Sequence, residues 1–211
     1  MEYDFYTEKQ FSYEGLSLQE SVKHLAKFTS DIWQIHPFCE GNTRTTAVFV
    51  IKYMKTFGLE VSNDVFAEHS WYFRNALVRA NYNNLKNGIH ATTEYLELFF
   101  SNLLLNTNYE LKNRFIHVDY ESKLETGNIQ SEMKNVLKGK NFTLNFTLEE
   151  LAILRLIAAD PAITQKEIAV KIGKSDRTVK SKMAMLQDKQ YIRRMNGKRN
   201  GRWEILVELP S

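Results

Sequence analysis

Residues 36–44 read HPFCEGNTR, a short loop whose last residues run into an apolar helix. Gly41 and Asn42 precede the expected helix start near Thr43, where unsatisfied backbone N–H groups and the positive end of the helix dipole attract anions. Glycine lets the backbone approach such an anion closely, and Arg44 adds a guanidinium fork suited to phosphate oxygens. The stretch therefore predicts a phosphate site at a helix N-terminus.

Two further side chains of this loop provide the means for a reaction. Glu40 offers the hard oxygen ligand that Mg²⁺ prefers beside phosphates. His36 is the only nearby side chain able to accept a proton near neutral pH. Each residue alone also fits an ordinary structural role, as a core histidine, a turn or a surface arginine. Their combination at fixed spacing indicates phosphoryl or nucleotidyl transfer to a hydroxyl.

The segments around the loop have helical periodicity. Ser17 and Glu20 form a capping-box pattern ahead of an amphipathic helix, and the helix after the loop is apolar nearly all round, which predicts a central position. We expect helices at about 18–33 and 43–56, further helices over about 63–80, and another at about 92–105. No alternating strand pattern precedes residue 118, so we predict an all-α domain over 1–118 and a linker over 119–146.

The C-terminal segment, 147–211, predicts a small domain of a different type. Thr147 and Ser175 read as helix caps, and strands are expected at about 191–194 and 202–207 around a turn rich in Gly and Asn. This order of elements, with two helices, a turn, a third helix and a basic hairpin, predicts a winged helix-turn-helix domain. The expected fold class is thus mainly α, a helical domain followed by a winged helix with a β-hairpin wing.

Charge is unevenly distributed along the chain. The net charge is +3 overall and −2 over residues 1–118, whereas residues 173–203 alone carry +8. Such a basic segment is typical of nucleic-acid binding, with the third helix in the major groove and the wing on the phosphates. A protein-docking surface is the alternative. The expected DNA-contacting residues are Lys174, Ser175, Arg177, Thr178, Lys180, Lys198, Arg199 and Arg202.

Composition excludes several other classes of protein. A single cysteine, Cys39, rules out an intramolecular disulfide framework and fits a reducing compartment. The first residues have no signal-peptide pattern, and no apolar run approaches the roughly 20 residues of a membrane helix. We therefore expect a cytoplasmic protein without a membrane partner.

The loop resembles the motif of the Fic family, His-x-Phe-x-[Asp/Glu]-Gly-Asn-Gly-Arg-x-x-Arg. The resemblance extends over about residues 15–105, and it implies AMP transfer from ATP to a Ser, Thr or Tyr hydroxyl of a target protein. In that comparison His36 is the base, Glu40 binds Mg²⁺ and Phe38 anchors the loop in the core. The phosphates are held by Gly41, Asn42, Thr43 and Arg44.

The chain departs from the family pattern in three respects. Thr43 replaces the third motif glycine, Ala47 replaces the second arginine, and residues 1–16 are too short for the flap hairpin that aligns the target. The short N-terminal segment has three explanations: the chain is a fragment of a longer protein, the protein is naturally truncated, or target docking has been lost. The alternative function is a DNA-binding regulator whose Fic domain serves as a nucleotide sensor or dimerisation body. A separate inhibitor protein and a homodimer are further expected partners.

Overall fold

The computed structural model describes residues 2–117, 146–196 and 201–209, and helices dominate these ranges. The helices are α1 (Glu2–Gln10), α2 (Leu18–Gln34), α3 (Asn42–Lys55), α4 (Asp64–Glu68), α5 (Ser70–Asn81), α6 (Glu94–Leu105), α7 (Leu148–Ala159), α8 (Gln165–Ile172) and α9 (Asp176–Asp188). Strands β1 (Ile192–Met195) and β2 (Arg202–Ile205) pair antiparallel, with Ile192 opposite Ile205. The predicted mainly α class is confirmed. In the described ranges, no helix has both the length and the apolar character to cross a bilayer.

The helix starts follow the capping patterns of the sequence. Ser17 N–H donates to Glu20 Oε2 over 2.9 Å, and Thr147 forms a reciprocal capping box with Glu150. Ser175 Oγ accepts a hydrogen bond from Thr178 N over 3.1 Å at the start of α9. Because such caps join residues three apart, they form as soon as the local chain becomes helical.

The helices differ from the sequence expectations in a few details. The helices expected over 63–80 are α4 and α5, which are divided at His69, where φ is −111° and ψ is 31°. Helix α3 is not buried on all sides, because Val48 is half exposed whereas Val50 and Met54 are buried. Helix α1 was not predicted at all.

The described residues form two compact units, each built from several chain segments. The first unit comprises residues 2–11, 22–46 and 63–117. Its core contains an aromatic cluster from α4, α5 and α6, in which the ring centroids of Phe73 and Phe99 are 4.9 Å apart. Burying such side chains contributes about 1.5–3 kcal/mol each, so this cluster fixes the position of α5.

The second unit comprises residues 12–21, 47–62, 146–196 and 201–209. The winged helix therefore shares a unit with the second half of α3, and the domain bounds 1–118 and 147–211 stay a prediction. The physical reason for the shared unit is close packing. Gly58 follows α3 in the chain and packs against Ile172. A Cβ added to Gly58 would lie only 2.5 Å from Ile172 Cγ2. The linker predicted at 119–146 falls almost wholly outside the described residues and stays a prediction.

Candidate functional site

The first unit contains a cleft of about 430 Å³ formed by three parts of the chain. The end of α2 supplies Trp33, the α2–α3 loop and first turn of α3 supply residues 36 and 39–44, and α5 supplies Ser70, Trp71 and Arg74. The volume lies within the range of ligand clefts. The predicted base, metal ligand and phosphate-binding residues thus line one cleft.

The loop is closed by the side chain of Asn42. Its Oδ1 accepts from Phe38 N over 3.1 Å, and its Nδ2 donates to Phe38 O over 2.7 Å. Gly41 has φ of +79°, a left-handed conformation that favours glycine. Since the Asn42 amide is engaged within the loop, the contribution of Asn42 to an anion site comes from its backbone N–H.

Phe38 does not anchor the loop in the core. Its side chain is 53% exposed, so the role that the resemblance implied for it is wrong in this structure. The two hydrogen bonds of Asn42 to the Phe38 backbone hold this position instead. A hydrogen-bonded backbone fixes the loop without needing a buried ring at its tip.

His36 occupies a strained backbone conformation beside the cleft. Its φ is +45°, which is uncommon for residues other than glycine and often marks a functional position. The ring lies edge-on to Trp33, with centroids 4.4 Å apart, and Nδ1 is 3.4 Å from the Gln34 carbonyl oxygen. In the tautomer that donates from Nδ1, Nε2 is the proton-accepting nitrogen.

The first turn of α3 gathers the groups suited to an anion. The Arg44 guanidinium lies over Gly41, because a Cβ added to Gly41 would be 3.7 Å from Arg44 Nη2. Trp33 Nε1 donates to Thr43 Oγ1 over 3.2 Å. The hydroxyl of Thr43 is therefore bonded to the indole, and the replacement of a motif glycine by threonine is accommodated. The first N–H groups of α3 have no acceptor within the helix and point towards its N-terminus.

The donor set of the cleft fits a magnesium ion that is shared with phosphates. Glu40 is exposed, and it is the one carboxylate among the described residues lining the cleft. No group of three or more His, Cys, Asp or Glu side chains is placed to share a metal elsewhere in the described ranges. Mg²⁺ commonly takes one or two carboxylates together with substrate phosphates and water, so a single carboxylate here suffices.

Two cleft residues on α5 were missed by the sequence analysis. Trp71 is one of the apolar residues that recur over about 63–80, but it is 67% exposed, and the Arg74 guanidinium lies 5.7 Å from its ring centroid. The buried face of α5 consists of Tyr72, Phe73, Ala76 and Leu77, and Trp71 lies outside it.

The described DNA-contacting candidates of the winged helix are exposed apart from the half-buried Thr178, and some of them also have partners within the unit. Arg177, Lys180 and Arg202 are exposed. Ser175 and Thr178 form the α9 cap, their hydroxyl oxygens 2.8 Å apart. Lys198 and Arg199 lie outside the described residues. Lys174 Nζ lies 2.8 Å from Glu149 Oε1, so it is paired within the unit.

Much of the positive charge in residues 173–203 is balanced by carboxylates from other segments. Lys174 and Lys182 lie against Glu149, and Lys189 lies against the buried Glu150. Arg193 donates to Glu204, which pairs the two strands. The three carboxylates reduce the local charge from +8 to +5.

Glu149 is the most heavily paired of these carboxylates. Partial burial raises its pKa, but the hydrogen bond and charge of Lys174, with a further contribution from Lys182, outweigh burial and lower the pKa overall. Lys182 is buried and also faces Glu14 at 3.7 Å. Lys182 therefore acts within the unit, whereas Lys174 is exposed and its charge is paired with Glu149.

Two family models match the chain. The Fic/DOC family model matches residues 2–54, which include the loop of the cleft. A winged helix-turn-helix DNA-binding model matches residues 150–193, from α7 into β1. Comparison with curated proteins and with solved structures gave no match. The two matched segments, Fic/DOC followed by winged helix-turn-helix, have the order that the sequence predicted.

Proposed function

We propose that the cleft transfers AMP from ATP to a Ser, Thr or Tyr hydroxyl of a target protein. The observation that carries the proposal is that His36 and the first turn of α3, whose N–H groups are suited to phosphate, line the same cleft. The match of residues 2–54 to the Fic/DOC family supports nucleotidyl transfer as the reaction class.

In this reaction His36 Nε2 takes the proton of the target hydroxyl. The hydroxyl oxygen then bonds to the α-phosphorus, and the bond from that phosphorus to pyrophosphate breaks. The backbone N–H groups of residues 41–43 and the Arg44 guanidinium bind phosphate oxygens, where they stabilise negative charge. Glu40 is the residue that would hold Mg²⁺, which when bound neutralises charge on the phosphates.

The test is label transfer from ATP to proteins of a cell lysate. His36→Ala should lower the rate by about 10²–10⁴-fold, the usual contribution of general-base catalysis, and leave nucleotide affinity largely unchanged. Parallel reactions with other nucleoside triphosphates identify the transferred group. Equal labelling by the wild type and His36→Ala would refute the assignment.

A second function, a nucleotide-sensing DNA-binding regulator without turnover, is favoured by one observation. Ala47 stands where the family motif has its second arginine, which removes a phosphate contact that the resemblance implies. This function predicts ATP binding without label transfer.

We also propose that the winged helix binds duplex DNA through its exposed cations. Replacing Arg177 and Lys180 together with alanine should weaken binding and reduce the slope of log affinity against log salt by about one unit for each lost phosphate contact. Lys174→Ala is the matched control, because this lysine is paired with Glu149. Equal effects of Lys174→Ala and the double variant would contradict this division of the surface.

A further inference from the structure

The exposed ring of Trp71 is an unusual feature of the cleft. Trp71 lies in the first turn of α5, whose other face is buried through Tyr72, Phe73, Ala76 and Leu77. These buried residues fix the helix, so Trp71 is presented at the cleft by a well-packed element. A large aromatic surface that is held rigidly towards a cleft is suited to binding a flat apolar group.

The surroundings of Trp71 indicate the charge of its ligand. Arg74, one helical turn further along, places its guanidinium 5.7 Å from the Trp71 ring centroid. Arg44 and the N-terminus of α3 line the same cleft. A ligand that contacts all of these groups must combine a flat ring with several negative charges. A nucleoside polyphosphate has this composition.

We infer that Trp71 is the platform on which the base of the nucleotide stacks, with Arg74 as a second guanidinium beside it. This inference rests on the proposed function, because it assigns the base-binding part of the same site. Aromatic rings bind bases through stacking, which depends on the face of the base more than on its hydrogen-bonding edge. Trp71 thus contributes affinity for the nucleoside part of ATP, while α3 binds its phosphates.

Calorimetric titration of the full chain with ATP and with inorganic tripolyphosphate separates these contributions. Trp71→Ala should weaken ATP binding by about 5- to 150-fold, the range for loss of one stacked base, and leave tripolyphosphate binding unchanged. Trp71→Phe, which keeps a ring, should recover part of the loss. Val78→Ala is the control, since Val78 is an exposed residue of α5 that does not line the cleft.

The outcomes distinguish this inference from the proposed function. If Trp71→Ala weakens ATP and tripolyphosphate equally, or weakens neither, base stacking on Trp71 is refuted and the phosphate site stands. If the wild-type protein binds neither ligand, the proposed function fails and this inference fails with it. Arg74→Ala should weaken both ligands, because a guanidinium acts on the phosphates. An unchanged affinity for both in Arg74→Ala would remove that residue from the site.

Discussion

Gly58→Ala tests the close packing of Gly58, which follows α3, against Ile172 at the end of α8. Gly58 has φ of +76°, and an added Cβ would lie 2.5 Å from Cγ2, 2.7 Å from Cβ and 3.0 Å from Cα of Ile172. The left-handed conformation costs a residue with a Cβ about 1–2 kcal/mol, and overpacking a filled interior costs about 1–3 kcal/mol. We therefore expect a loss of about 2–5 kcal/mol, since the Cα of Ile172 belongs to the backbone and cannot move aside independently.

Urea unfolding followed by far-ultraviolet circular dichroism measures this loss. Gly15→Ala is the matched control, because Gly15 lies in the same unit with φ of +82° and an added Cβ there meets no atom within 4 Å. It should show only the conformational cost of about 1–2 kcal/mol. Adding Ile172→Ala to Gly58→Ala removes the nearest atom, so the two losses should be less than additive. Equal destabilisation by Gly58→Ala and Gly15→Ala would refute the close contact.

Three further predictions concern the loop and the paired lysines. Asn42→Ala removes two hydrogen bonds to the Phe38 backbone, worth about 1–3 kcal/mol together, and should weaken tripolyphosphate binding in calorimetry; wild-type affinity would contradict this role. Because the pKa of Glu149 is lowered from its ordinary value of 4.5, its pairing stabilises the fold above that pH and is lost as pH falls through the folded-state pKa. Glu149→Gln should therefore flatten the acid side of a plot of urea midpoint against pH, and an unaltered profile would exclude this role. Lys182→Ala should destabilise the fold by about 1.5–3 kcal/mol in urea unfolding, whereas the exposed Lys180→Ala should not, and equal stabilities would show that the Lys182 pairing contributes nothing.

The sequence by itself determined the local features of this protein. The starts of α2, α7 and α9 were predicted because each depends on a hydrogen bond between residues three apart. The loop of residues 36–44 was singled out for a similar reason, since a glycine turn followed by a helix start is a local pattern that leaves backbone N–H groups free for an anion. The order of helices and strands in the winged helix likewise follows from local periodicity.

The tertiary structure decided which of these residues are exposed, paired or brought together. Phe38 is exposed, although the family resemblance places it in the core, and Trp71 faces the cleft, although it lies among recurring apolar residues. The charge of Lys174 is balanced by Glu149, and Gly58 packs against Ile172, across long stretches of chain. Burial and pairing depend on which distant segments of the chain come into contact. Because the free energy of these contacts depends on the whole fold, a short window of neighbouring residues cannot predict them.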